Sequence, residues 1–319
     1  SESDLRSARA SGSSERISIR RERAGKQNQV INYILLFISV SLETGKNAAF
    51  ESFSKRESSG AVDLGLFNTV TYISAVPVLL LFFIFGKNHS CSLFTLVTAV
   101  GFALVNMLAQ FCYIKAISYG SMTCTTLISC CGFLISTVFS VICYSEKVRV
   151  MQIILLPILV LALALTMDLR RGGVNFRWMI FAFGSMLFTG LIGVMQKVHQ
   201  ESGHGGEMSL FLLISFILMA LISGMTLPRV KKPRADRAEA KLSCSPALPL
   251  AIFSGAALGM IHSLNLYLSG VLPSIVFFPV VNGGLILMTA MVSVVVFHER
   301  LNVKQIAGLI LGVIIICVM

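Results

Sequence analysis

The sequence has little charge for its length. Asp, Glu, Lys and Arg make up 13% of its 319 residues, which is about half the share found in an ordinary soluble domain. Hydrophobic residues reach 55%, and the mean hydropathy is +0.82. A soluble enzyme or a nucleic-acid-binding domain needs a polar exterior, which this composition does not supply. The shortage of charge therefore predicts a membrane protein.

The charge that is present, a net +11, is concentrated outside the apolar part of the chain. Ser1–Gln29 carries seven basic and four acidic residues, and Arg229–Lys241 carries six basic and two acidic residues. Such clusters are typical of segments that flank membrane spans, so no nucleic-acid partner is predicted from them. Ser1–Gln29 is also rich in Ser and Arg and has no apolar periodicity, so we expect a disordered basic tail.

Metal-binding and catalytic patterns are missing as well. The eight Cys residues lie mainly inside or at the ends of apolar runs without metal-ligand spacing, and they are interpreted as small hydrophobic residues. No nucleotide-binding loop, pair of intramembrane aspartates or nucleophile motif stands out. The sequence therefore predicts a protein that is not an enzyme and has no cofactor or metal. Any transport would be secondary or facilitative, without ATP hydrolysis on this chain.

Ten apolar runs, each long enough to cross a hydrocarbon core, follow one another from Val30 onward. They do not show the ten-residue alternation of a membrane barrel, so helices must satisfy the backbone. The predicted fold is an all-α membrane protein with ten transmembrane helices. The runs are Val30–Phe53, Leu64–Phe85, Ser92–Ile117, Met122–Tyr144, Val150–Met167, Val174–Val198, Met208–Leu227, Ala247–Leu268, Leu272–Phe297 and Val303–Met319.

An internal repeat emerges when the chain is divided after the fifth run. The segment EKVRVMQ at 146–152 lies over ERLNVKQ at 299–305, and Glu, a basic residue, an aliphatic residue, Val and Gln match in register. Because each half holds five spans, an odd number, the second copy enters the membrane from the opposite side. We therefore predict two inverted five-helix repeats, at residues 30–168 and 169–319.

These motifs resemble those of the drug/metabolite transporter superfamily and, within it, of the EamA-like ten-helix transporters. The most specific motif is ERL at 299–301, followed by Gln305, Gly308 and Gly312 in an otherwise aliphatic run. The resemblance covers about residues 31–319. It implies two inverted five-helix bundles around a central cavity, which the first, third and fourth helices of each half would line.

The function that the resemblance implies is transport of a small metabolite or drug-like solute by alternating access. Its expected partners are this solute and the lipid bilayer, with a proton or cation as a candidate coupling ion. The expected location is the bacterial plasma membrane. A non-transporting membrane scaffold or receptor-like protein is the alternative. Such a protein needs neither mid-span charges nor an inverted repeat, and this sequence has both, which favours transport.

The distribution of basic residues does not decide on which side of the membrane the two termini lie. Without the tail, the basic residues of the loops favour both termini outside, whereas the tail and the family resemblance favour both termini inside.

Glu146 and Glu299 lie at span ends beside Lys147 and Arg300. We interpret them as structural boundary pairs rather than coupling sites.

Polar side chains inside the apolar runs are the candidate solute-binding residues, because an unpaired ionisable group in hydrocarbon is costly. Glu43, Lys46 and Asn47 share one face of the first span, and Glu43 is placed to pair with Lys46. Glu43 is interpreted as part of the solute pathway and as a candidate proton or cation site. The alternative is a self-neutralised pair that holds the span against a neighbour.

Further candidates lie in the third, eighth and ninth spans. For Lys115, snorkelling to an interface is the alternative to solute contact, and for His262 it is a hydrogen-bonded place in the core. Asn282 can both donate and accept, whereas the glycines that follow it are interpreted as packing residues. The complete candidate set is Glu43, Lys46, Asn47, Asn106, Tyr113, Lys115, His262, Asn265 and Asn282.

Removal of Ser1–Gln29 is expected to leave the fold and any transport intact, because such a segment cannot contribute to a core. The yield of membrane-inserted protein and its thermal unfolding midpoint, compared with the full chain, check this expectation. Loss of membrane insertion would show instead that the seven basic residues of the segment set the topology.

Overall fold

The computed structural model describes residue 27 and residues 29–49, 61–86, 88–119, 122–166, 176–226, 247–297 and 302–318. Within these ranges the chain forms helices joined by short connections and contains no strand, which confirms the predicted all-α class for this part. The disorder predicted for Ser1–Gln29 is wrong at Gln27 and Gln29, which are helical, and the rest of this segment lies outside the described residues. The basic segment Arg229–Lys241 falls wholly outside them.

The described residues form eleven helices, numbered here in chain order. A 3-10 turn, Gly205–Glu207, connects α7 to α8. The helices are α1 at residues 29–49, α2 Ala61–Phe85, α3 Leu93–Tyr119, α4 Met122–Cys130, α5 Phe133–Tyr144, α6 Val150–Thr166, α7 Phe176–Glu201, α8 Met208–Thr226, α9 Ala247–Val271, α10 Ser274–Phe297 and α11 Val303–Val318.

Among the described residues, seven helical segments are long and apolar enough to cross a membrane. The apolar helices α6 and α11 are shorter, with 17 and 16 residues. The chain is therefore an integral, multi-pass membrane protein, and the count of ten spans stays a prediction. The seven segments are Leu66–Phe85, Leu93–Ala116, Thr125–Tyr144, Phe176–Glu201, Gly205–Met225, Leu248–Val271 and Ser274–Val292.

Polar side chains and proline decide several helix ends. α3 begins after Ser92, whose hydroxyl oxygen accepts a hydrogen bond from the backbone N–H of Thr95 at 3.1 Å, as an N-cap residue does. Pro273 separates α9 from α10, because it has no N–H with which to continue a helix. α10 therefore begins at Ser274 rather than at the predicted Leu272.

The fourth apolar run forms two helices rather than one. α4 ends at Cys130, α5 begins at Phe133, and a two-residue turn containing Gly132 lies between them. A Cβ atom on Gly132 would lie 2.6 Å from the carbonyl oxygen of Met186 and 2.8 Å from the backbone nitrogen of Gly190. The broken span therefore meets α7 backbone to backbone, an approach that glycine permits.

Two apolar clusters hold the helices together. The first joins α1, α4, α5, α6, α10 and α11 and includes Leu36, Phe133 and Phe277. The second joins α2, α3 and α8 and includes Phe102. α9 contributes Leu268 to the first cluster and Leu266 to the second. Since α3 also packs along α7 and α2 packs along both α8 and α9, these contacts fix where the helices present their polar residues.

Gly132→Ala is expected to lower the free energy of unfolding by about 1–3 kcal/mol, the usual cost of forcing atoms into a filled interface. Gly132 has ordinary right-handed helical angles, φ −52° and ψ −25°, so the cost arises from contact with α7 rather than from backbone strain. Gly224→Ala is the matched control, since the nearest atom to its Cβ would be 4.0 Å away. Thermal unfolding in detergent measures the difference, and equal midpoints for the two variants would contradict the close contact.

Candidate solute-binding site

An ion pair on α1 is the centre of the candidate site. Lys46 donates a hydrogen bond to the carboxylate of Glu43 one turn earlier, as the i, i+3 spacing predicts. The side chains of Glu43 and Lys46 are 21% and 20% exposed, so the pair lies largely within the helix bundle. Asn47, which follows on the same face, is half-buried. α1 therefore presents a negative and a positive group side by side.

α9 contributes further polar residues beside this pair. The hydroxyl of Ser39 donates a hydrogen bond to Oδ1 of Asn265 at 2.6 Å and so joins α1 to α9 one turn from Glu43. His262, one turn from Asn265, lies close enough to Glu43 and Lys46 for both charges to act on it. We call Ser39, Glu43, Lys46, His262 and Asn265 the Glu43 cluster. Four of them were singled out from the sequence, on two separate spans.

Aromatic rings from two further helices pack against His262. The ring centroids of Phe102 on α3 and Phe216 on α8 lie 5.8 Å and 5.2 Å from the imidazole centroid, both in edge-to-face geometry. The Nδ1 atom of His262 is buried and has no hydrogen-bond partner among the described residues. This nitrogen therefore retains the capacity to bind a polar solute or a water molecule.

α3 and α4 border the same region. The hydroxyl of Tyr113 lies 2.8 Å from that of Thr126. Cys130, the last residue of α4, is within electrostatic range of both Glu43 and Tyr113. Tyr113 is thus linked to the Glu43 cluster through the point at which the fourth span breaks.

The remaining candidates, Asn106, Asn282 and Lys115, each lie close to a residue one turn earlier in their own helix. Asn106 and Asn282 donate their side-chain N–H groups to backbone carbonyls one turn earlier in their own helices, at 2.9 Å and 3.0 Å. Lys115 is exposed, and its ammonium lies 6.0 Å from the ring centroid of Phe111. This position agrees with the snorkelling alternative for Lys115.

A second charged group, which sequence reasoning did not select, lies at the C-terminal end of α7. Lys197 is 4% exposed, and its ammonium lies 2.9 Å from a carboxylate oxygen of Glu146 and 2.9 Å from one of Glu201. It also donates a hydrogen bond to the backbone carbonyl of Ser269 at 3.1 Å. α7 continues past its predicted end at Val198 because the Lys197–Glu201 pair stabilises another turn.

The contacts of Glu146 agree with a structural role at a span boundary, but the predicted pair with Lys147 is wrong. Glu146 pairs with Lys197 instead, and Lys147 is exposed. The Glu146 carboxylate also accepts hydrogen bonds at 2.8 Å from both the backbone N–H and the hydroxyl of Ser274, so it caps the N-terminus of α10. Glu299, for which the same role was predicted, lies outside the described residues.

Glu207 makes a comparable cap for α3. Its carboxylate accepts hydrogen bonds from the backbone N–H of Ser92 at 3.0 Å and from the Ser92 hydroxyl at 2.8 Å. The hydroxyl of Thr95 lies 3.3 Å from Nε2 of His199, which is two residues from Lys197. Both carboxylate caps therefore lie at the same end of the bundle, which we call the capped end. It connects α3, α7, α9 and α10.

Sequence reasoning misses two residues, Lys197 and Ser39, and only Lys197 gives a signal that could have identified it. Lys197 lies inside the predicted sixth run, so the rule that selected Lys115 would have selected it as well. Ser39 gives no such signal, because a serine in an apolar helix commonly bonds its own backbone. Only its contact with Asn265 on another helix shows that it belongs to the site.

An open cavity of about 410 Å³ lies on the surface of α5, and none of its lining residues is charged. Its lining is apolar, so it differs from the polar central cavity that the resemblance implies. That cavity stays a prediction. The lining residues are Leu134, Ile135, Val138 and Phe139.

The helices and their buried charges define an integral membrane protein with polar groups inside the bundle. Residues 30–167 match the profile of the EamA-like transporter family. This stretch, somewhat less than half of the chain, is similar to that family, which belongs to the drug/metabolite transporter superfamily to which the sequence motifs also point.

The fold has a counterpart of known structure. One crystal structure matches 91% of this chain and 96% of its own chain with a TM-score of 0.67 and 13% sequence identity. At this identity the likeness concerns the fold alone. No curated protein matches the sequence.

Lys197→Met is expected to lower the free energy of unfolding by about 3 kcal/mol, because it leaves the carboxylates of Glu146 and Glu201 without their counter-ion. Lys147→Met removes an exposed lysine beside the same carboxylate and is the control. The thermal unfolding midpoints of the two variants in detergent give the answer. If they coincide, the buried ammonium does not hold the capped end together.

Proposed function

We propose that the chain is a secondary transporter that moves a small metabolite or drug-like solute by alternating access. The solute would pass through a central cavity between two inverted five-helix repeats. The Glu43 cluster is the observation that carries this proposal. Among the described residues, Glu43 and Lys46 have no hydrogen-bond partner besides each other, although both lie mostly inside the bundle. Their remaining acceptor and donor positions are available to a solute.

The pattern of helix packing supports the inverted repeats. A two-fold relation between residues 30–168 and 169–319 would exchange α2 with α8, α3 with α9, the α4–α5 span with α10, and α6 with α11. α2 packs on α8, α5 on α10, and α6 on α11, so each of these helices meets its own counterpart. The α2–α9 contact has its equivalent in the contact between α8 and α3. A two-fold axis between the halves accounts for all of these contacts.

We assign the remaining three spans of the proposed ten to α1, α6 and α11. At a rise of 1.5 Å per residue, α6 and α11 are each about 25 Å long, near the lower limit for a span. α1 covers residues 29–49 and is long enough to cross the hydrocarbon core. The location that we propose, following the family resemblance, is the bacterial plasma membrane.

Within this scheme the Glu43 cluster, Asn47 and Tyr113 bind the solute. Asn106 lies one turn from Phe102, which packs on His262, so we place Asn106 further along the same pathway. Asn282 and Lys115 are proposed to line its outer parts. The capped end supports a state that is closed at that end, because its carboxylates tie four helices together.

Transport by the purified protein in liposomes tests the function. Amino acids, nucleobases, sugars and cationic drugs are screened for uptake and efflux, with and without a pH gradient. Saturable flux of at least one class is expected. Folded protein that carries none of them would favour the non-transporting scaffold.

Glu43→Gln is expected to reduce this flux by about ten- to a hundredfold, since a hydrogen bond to a charged group contributes roughly 1.5–3 kcal/mol. Lys147→Met, which removes an exposed charge away from the Glu43 cluster, is the control. Thermal unfolding measured in parallel separates lost binding from lost folding. A stable and fully active Glu43→Gln protein would remove Glu43 from the site.

A further inference from the structure

The carboxylate of Glu43 has one neighbour of opposite formal charge among the described residues, Lys46 on the same helix. A carboxylate withdrawn from water into a low-dielectric interior is unfavourable unless it is neutralised. In a transport protein the neutralising charge can come from a proton, from a dissolved cation or from the chain itself. In this protein the chain supplies it.

We propose that Lys46 is a built-in counter-ion, and that it occupies the position that a coupling proton or monovalent cation would otherwise take at Glu43. The inference rests on the proposed transport function. Because the pair is neutral before and after a solute binds, the solute crosses without a co-transported ion. Lys46 therefore determines whether transport is coupled.

The other groups near Glu43 leave this role to Lys46. His262 on α9 and Cys130 on α4 are titratable groups on neighbouring helices within its electrostatic range. α10, which also packs on α1, carries no titratable residue along its length. Lys197, which is buried at the capped end, is already engaged by two carboxylates.

The exposure of the pair makes replacement by an ion feasible. About one-fifth of each side chain is exposed, 21% for Glu43 and 20% for Lys46, so the helix bundle does not enclose the pair completely. The side chain of Lys197, by contrast, is 4% exposed, and three hydrogen-bond acceptors surround its ammonium. Lys46→Met keeps most of the apolar stem of Lys46 and removes only its ammonium. The vacated place is then open to a proton or a sodium ion.

The test measures stability and needs no identified solute. The full chain, Lys46→Met and the double variant Glu43→Gln/Lys46→Met are unfolded thermally in detergent, over a range of pH and in sodium chloride or choline chloride. Lys46→Met is expected to bind one proton or one sodium ion that the unaltered chain does not bind. Its unfolding constant should rise by up to tenfold per pH unit as the proton is withdrawn, or fall as sodium is added. The double variant should follow the unaltered chain, and so should Lys46→Arg.

Three results would overturn the proposal. The first is a Lys46→Met protein with the same pH and sodium dependence as the double variant. The second is a Lys46→Met protein that folds under none of these conditions while the double variant folds, since no ion would then replace the ammonium. The third is flux of the unaltered protein that requires a pH or sodium gradient. This last result would leave the transport function standing, whereas absence of all flux would refute that function and leave the stability test unaffected.

Discussion

A charge inside hydrocarbon has to be neutralised by the protein, and this constraint governs both polar parts of the molecule. At the capped end the ammonium of Lys197 is saturated by Glu146, Glu201 and a backbone carbonyl, so it fixes the positions of helix ends. On α1 the pair of Glu43 and Lys46 is neutral but unsaturated, with capacity left on both partners. The first arrangement holds helix ends together, and the second is the proposed binding site for a solute.

Interactions that are local in sequence could be predicted. The apolar runs identify the helices, because period and length alone decide whether a segment seeks hydrocarbon. The pair of Glu43 and Lys46 follows from its i, i+3 spacing, since neighbouring turns of one helix must bring these side chains together. The start of α10 was placed one residue before Pro273, although the missing N–H of this proline is a local signal for a helix that begins after it.

Interactions between distant segments could not be predicted in the same way. The contact of Ser39 with Asn265 joins residues far apart in the chain, and no local pattern encodes it. The sequence predicts a pair between Glu146 and the adjacent Lys147, but consecutive residues of a chain point in different directions, and the partner of Glu146 is Lys197 on another helix. Likewise the break after Cys130 depends on the approach of α7, which a single apolar run does not reveal.

The contact between Gly132 and Gly190 limits how this protein can evolve. A side chain added at either position meets the backbone of the other, and neither residue can be made smaller. Damage elsewhere in the core can be compensated by trimming a neighbour, but here no compensating exchange exists at the partner position. A genetic screen for suppressors of a substitution at Gly132 should therefore return true revertants or changes that shift a whole helix.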